Sequence, residues 1–175
     1  MKPKAGSKST KLSPAVQKAR KKEKASKDTT KLIASLCSRS RTALDEGDIE
    51  TAHDLANRAC ALLPQDSTNV HPLELFGEIK VELGEIDQAR ELFLEAVKRW
   101  EGVSRESVKI GDEGKYAWLG QMSTEYEAEG WYMRAVSTLQ ELMERASDEN
   151  ERKLINGKIC AVYCSLIELF LTDLW

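Results

Sequence analysis

The sequence predicts an all-α chain of stacked helical hairpins, and three observations predict it. From about residue 30 onward apolar residues recur at three- and four-residue spacing, as in Leu32, Ile33, Leu36, Cys37, Ala43 and Leu44, which puts them on one face of a helix. Glycine interrupts the pattern at regular points: Gly47-Asp48, Gly84-Glu85 and Gly130-Trp131 each stand between two helical stretches, and Pro64, Gly102 and residues 147–150 close the second stretch of each pair. No segment alternates apolar and polar residues with Val, Ile and Thr enrichment, so strand is not expected.

Taken in order, residues 1–28 are rich in Lys and Ser with almost nothing apolar. Such a segment has too little surface to bury against the entropy of ordering, so a basic disordered tail is expected, with nascent helix over 15–24. Residues 1–31 hold eleven Lys or Arg against Glu23 and Asp28, about +9, and residues 32–175 keep 15 basic and 27 acidic residues, about −12. The overall net charge of −3 thus hides a basic arm on an acidic body. That body, 29–175, is expected to hold hairpins over about 30–64, 70–101 and 113–146, then a last helix over about 151–174.

The hairpins share internal spacing. Aligning the three glycine turns gives Gly47, Ala52, Ala56, Ala59; then Gly84, Ala89, Phe93, Ala96; then Gly130, Ala135, Leu139, Leu142. Upstream, Leu73-x-x-Phe76-Gly77 and Tyr116-x-x-Leu119-Gly120 share a large-apolar-then-glycine frame. The set resembles the tetratricopeptide (TPR) signature, and implies a TPR-like α-α superhelix, a right-handed solenoid of about three hairpins plus a final helix. Antiparallel helices approach closely only where side chains are small. Gly77 and Gly120 on the first helices, and Ala89 and Ala96 on the second, are therefore expected at the crossing, with Gly84 supplying a positive φ at its turn. The repeat is irregular: 65–71 and 103–114 are long connections, the third first-helix is expected to run a turn further, and the first unit has Arg39-Ser40 in place of Leu-Gly.

Composition excludes several classes. No apolar run opens the chain and none is long enough to span a bilayer, so neither secretion nor a membrane span is expected. Cys37, Cys60, Cys160 and Cys164 lie inside apolar helical patterns without Cys-x-x-Cys or a paired His, and read as reduced packing residues. Gly111-Asp112-Glu113-Gly114-Lys115 lacks the spacing, the following Ser or Thr and the preceding strand of a phosphate loop. His53 and His71 have no ligand-like spacing, and no nucleophile-base grouping is present. No enzymatic activity, cofactor or metal is expected. The basic run 18–24, with Lys18, Arg20, Lys21, Lys22 and Lys24, reads either as a nuclear import signal or as an inert solvated tail, and holds no aromatic for stacking on RNA.

In the TPR fold the first helices line the concave face. The repeat frame sets Glu74, Glu78 and Glu82 on one stripe there, with Asp45 from the first unit and Gln121 and Glu125 from the third at equivalent places. A groove of that sign suits a Lys/Arg-rich peptide, although the same acids also fit a merely solvated helix face. Arg41 is essentially the only inward cation, so clamping of an acidic chaperone tail is disfavoured. The two function classes that remain are a peptide-binding chaperone and a TPR scaffold or adaptor joining subunits of a larger complex, with an RNA-associated factor acting through the basic tail as a third.

Longer runs are more specific than the TPR signature. LELFGEIKVELGEIDQARELFLEAVKRW, GDEGKYAWLGQMS and ICAVYCSLIELFLTDLW together resemble the fungal family of TPR-repeat assembly chaperones dedicated to the large-subunit ribosomal protein uL-four, over about residues 30–175. The resemblance implies a non-enzymatic protein of cytoplasm and nucleus. It would capture the newly made ribosomal protein, cover its long basic loop in the groove, and keep it soluble until 60S assembly. It implies contacts at Glu78 and Glu82, which match the family's GE-x-x-x-E segment, and further at Glu74, Gln121 and Glu125. Family members continue past the Thr-Asp-Leu-Trp stretch. The last helix is therefore expected to present an uncovered apolar face, either because this chain is a shortened version or because a partner, including a second copy, covers that end.

Overall fold

The computed structural model describes residues 14–172, and of the expected tail residues 1–13 lie outside it. Among the described residues there are seven α-helices and no strand: α1 Pro14–Asp45, α2 Ile49–Ala61, α3 His71–Glu82, α4 Ile86–Trp100, α5 Gly114–Gln121, α6 Glu125–Arg145 and α7 Glu149–Thr172. Each helix packs on its neighbours in the chain. Apolar layers therefore follow one another along the stack: Ile33, Leu36, Cys37, Ala52, Leu55 and Ala56 with Leu75 and Ile79 between α1, α2 and α3, and Tyr132, Leu139 and Leu142 with Ile155, Val162 and Leu166 between α6 and α7. A series of thin layers, each shared by consecutive helices, is the signature of a repeat stack.

Helix α1 begins at Pro14, within the segment expected as tail and around the stretch where nascent helix is expected. Pro14 opens the helix, where its missing N–H costs nothing, and Lys27 pairs with Glu23 one turn earlier at 2.6 Å. Every side chain described between Lys18 and Asp28 is exposed, so those residues add nothing to the core.

The first two hairpin turns are local in origin. Gly47 and Gly84 adopt φ of +83° and +74°, left-handed values that a side chain would strain. Asp48 N–H donates back to Ala43 O at 2.8 Å and Glu85 N–H to Lys80 O at 2.8 Å, satisfying the last carbonyls of α1 and α3 in the same way. The Asp48 side chain then caps α2 by accepting from Thr51 N–H at 3.1 Å.

The third turn differs from the expected one. It falls at residues 122–124, and Gly130 lies inside α6. Ala128, Tyr132 and Ala135 take the places of Ala89, Phe93 and Ala96. The pattern misled because α6 repeats its four-three spacing: Ala128, Tyr132, Ala135, Leu139 and Leu142 are all buried, so two registers satisfy the same template. For the same reason α5 stops a turn early rather than running further.

Gly77 and Gly120 sit where a ring passes. A Cβ on Gly77 would lie 2.7 Å from Phe93 Cζ, and one on Gly120 would lie 2.6 Å from Tyr132 Cε1. In the first hairpin Ser40 fills the corresponding place, wholly buried, with its hydroxyl donating to Ala52 O at 2.7 Å. Phe93 is fully buried and cannot withdraw. Gly77→Ala is accordingly expected to destabilise by about 1–3 kcal/mol through overpacking, in spite of alanine's better helix propensity. Gly130→Ala has nothing within 4 Å of the new Cβ and should stabilise by up to about 1 kcal/mol. Urea denaturation of both variants measures the pair, and a loss of stability on Gly130→Ala would restore the turn at that position.

Helix α7 departs from expectation in two respects. Cys160 and Cys164 are exposed on it, whereas Cys37 is buried and Cys60 donates its thiol to Pro72 O at 3.2 Å, its pKa pushed up to about 12 by burial and then by Cys37. With a mean hydropathy of 1.6 over 18 residues, α7 is also long and apolar enough to cross a membrane. Ile155, Val162, Leu166 and Leu169 are buried, while Tyr163, Ile167, Phe170 and Leu171 remain exposed. No single apolar run reveals this, because Lys158 and Glu168 interrupt it.

Candidate peptide-binding groove

The long connection between α4 and α5 folds back over α3 and leaves a hollow of about 610 Å³. Glu74 and Glu78 of α3 face it, with Arg41 of α1, His71 at the start of α3, Trp100 at the end of α4, and Lys109 and Asp112 of the connection. Two of the six predicted groove residues, Glu74 and Glu78, are thus brought together one helical turn apart. The other four lie elsewhere. Asp45, Glu82 and Gln121 end α1, α3 and α5, exposed at the turn edge, and Glu125 opens α6, exposed, with a φ of +51°. None of the four lines this hollow. Lys18, Arg20, Lys21, Lys22 and Lys24 are exposed along the N-terminal part of α1.

Charge in the hollow is compensated, which the stripe of acids did not suggest. Glu74 meets Lys115 Nζ at 3.1 Å, and Lys115 is 0% exposed. The ammonium also donates to the Asp112 carbonyl and stands 4.3 Å from the centre of the Trp100 ring. An ammonium so enclosed needs all three partners, because an unpaired charge away from water is costly. Burial pushes the Glu74 carboxyl above the usual carboxylate range, with Lys115 pulling it down. Glu78 meets Arg41 Nη2 at 2.6 Å, but here the side chains are 26% and 41% exposed. Solvent-screened pairs of this kind contribute only about 0.2–1 kcal/mol.

The same connection is pinned from its other side. Glu113, buried, accepts from Gly111 N–H at 2.7 Å and from Lys158 Nζ of α7 at 2.6 Å. Arg145 of α6 donates to Val108 O at 3.0 Å. The Gly-Asp-Glu-Gly-Lys segment therefore supplies two buried charges that hold the floor and wall of the hollow, and no phosphate loop. Sequence reasoning missed Trp100 as a lining residue and Lys115 as the buried partner of Glu74. A signal existed: Lys115 stands five residues before Gly120, as the buried Pro72 stands five before Gly77, so a lysine occupies an apolar place in the repeat. Among the described residues no group of three or more His, Cys, Asp or Glu is arranged to hold a metal ion.

No protein-family model matches the chain. Two curated relatives do. A Schizosaccharomyces pombe protein described as a probable assembly chaperone of rpl4 is 33% identical over 138 residues, 77% of this chain and 38% of the relative. An Emericella nidulans protein of the same description is 30% identical over 128 residues, 71% of this chain and 32% of the relative. The chain thus spans about a third of the length of the curated relatives it matches. Among solved structures, an assembly chaperone of RpL4 (Acl4, residues 1–338) superimposes with a TM-score of 0.68 at 32% identity, over 82% of this chain and 56% of that one. In sequence and in helical-repeat fold alike, the chain is similar to the fungal assembly chaperones of rpl4.

Proposed function

We propose that this protein is a non-enzymatic chaperone that binds a newly made, basic ribosomal protein of the large subunit, rpl4 by that similarity, and keeps it soluble for 60S assembly. The observation that carries the reading is the joint match of sequence and fold to rpl4 assembly chaperones over most of this chain. Charge supports it. Residues 32–175 carry about −12, and such a body attracts a cationic segment that would otherwise adhere to RNA. The segment lies along the first helices, with Glu78 as its anchor and Glu74 beneath it. Asp45, Glu82, Gln121 and Glu125 then form an outer acidic and polar edge that attracts the segment at longer range.

Work in cytoplasm and nucleus follows from such a task, and the exposed Lys18, Arg20, Lys21, Lys22 and Lys24 serve as its import signal. The exposed apolar side of α7 is the surface for self-association. Mixing purified protein with recombinant rpl4 is expected to give a soluble 1:1 complex by size-exclusion chromatography with light scattering, insensitive to RNase. Aggregation of rpl4 unaffected by the protein would reject the reading, and recovery of several co-assembling subunits in place of free rpl4 would replace it with a scaffold.

A further inference from the structure

We propose that Arg41 is an internal stand-in for the client: in the free protein its guanidinium occupies Glu78, and a lysine or arginine of the bound segment takes that carboxylate by displacing it. The inference rests on the groove reading above and assigns a specificity role to a residue outside the acidic stripe. Two cations already pair with the carboxylates of the stripe, and their settings differ. Lys115 is enclosed by Glu74, the Asp112 carbonyl and the Trp100 ring, with no exposed surface. Arg41 reaches across from α1 to Glu78 of α3 at 2.6 Å, with 41% of its side chain in solvent.

That difference decides which carboxylate is exchangeable. Withdrawing Lys115 would strand a buried ammonium or a buried carboxylate, so Glu74 keeps its partner. Arg41 loses little on swinging outward, because its head group is already half hydrated and exposed pairs are weak. A guanidinium is also a demanding rival. It is held on the same molecule at high effective concentration, and its planar fork matches a carboxylate better than an ammonium does. A lone lysine from an unrelated protein therefore gains little by entering. A segment with several cations, steered by the acidic edge, supplies enough further contacts to unseat Arg41. The arrangement thus discriminates by a built-in competitor.

The test uses the full chain and a fluorescein-labelled synthetic Lys/Arg-rich peptide, titrated by anisotropy at low and high salt. Arg41→Gln is expected to bind about threefold to tenfold more tightly than wild type at low salt, with the advantage lost at high salt. Arg41→Met, which keeps the aliphatic stem along the wall of the hollow, should show the same tightening and guards against a packing loss. Glu78→Gln should bind more weakly, and the double variant Arg41→Gln with Glu78→Gln should match Glu78→Gln alone, because Arg41 acts through that carboxylate. Unchanged or weaker binding by both Arg41 variants, with Glu78→Gln still impaired, overturns the displacement and leaves the groove standing. Wild-type affinity in Glu78→Gln overturns the groove, and the displacement with it.

Discussion

Replacing Lys115 with methionine is expected to lower the unfolding free energy by about 3–5 kcal/mol, the usual cost of removing one partner from a buried ion pair. Methionine fills much of the stem's volume, so the loss is electrostatic. Glu74 is left largely buried beside an apolar chain, and the Asp112 carbonyl loses its donor. The double variant Lys115→Met with Glu74→Leu should recover most of the loss, because an apolar pair of similar volume replaces a buried ion pair at little cost. The pH dependence has a definite sign. A carboxyl whose folded pKa is raised binds its proton more tightly in the folded state, so protonation favours folding. The deficit of Lys115→Met should therefore shrink as pH falls through the Glu74 pKa, which burial has already raised and the lost cation raises further. Guanidinium unfolding at neutral and mildly acidic pH measures both effects. A single variant within about 0.5 kcal/mol of wild type would mean that the buried lysine is not needed.

Glu78→Lys is expected to weaken binding of a Lys/Arg-rich peptide by about tenfold to a hundredfold at low salt, since it sets a like charge where the groove reading puts the anchor. It also faces Arg41, which then repels rather than pairs. Helicity should hold, because the side chain is partly exposed and the pair it breaks is weak. Glu82→Lys should change affinity by no more than about threefold, since Glu82 ends α3 exposed and outside the hollow, and charges are screened beyond about 10 Å at ordinary ionic strength. Anisotropy titrations at low salt and near 1 M, with circular dichroism for helix content, separate the two. Equal losses from both substitutions would assign binding to the long-range field of the acidic body and none to the hollow.

The contrast between those two glutamates shows where reading the chain succeeded and where it stopped. Glu74, Glu78 and Glu82 are indistinguishable along α3, four residues apart on one helix face. Their separate fates come from Lys115, forty-one residues after Glu74 in the chain, from Arg41 on another helix, and from the irregular connection that roofs the first two and misses the third. The third turn failed for a related reason. Gly130 resembled Gly47 and Gly84 in composition, yet only the ring of Tyr132 lodged over Gly120 selects the register in which Ala128 and Ala135 face α5. Cys160 and Cys164 were assigned to the core because α7 is apolar on more than one side, and periodicity cannot tell a covered side from an open one.

The helical hairpins and their small-residue crossings were determined by the chain alone. Helix periodicity, left-handed glycines and close-approach glycines act within a turn or two of backbone, and an i, i+3, i+4 pattern records them in the order of the residues. The resemblance to rpl4 chaperones was legible as well, because it lies in contiguous runs. Only the tertiary structure decided which charges are spent inside the protein and which remain for a partner. Ion pairing depends on distance and on exclusion of water, and both are set by segments that meet across the stack, far apart in sequence.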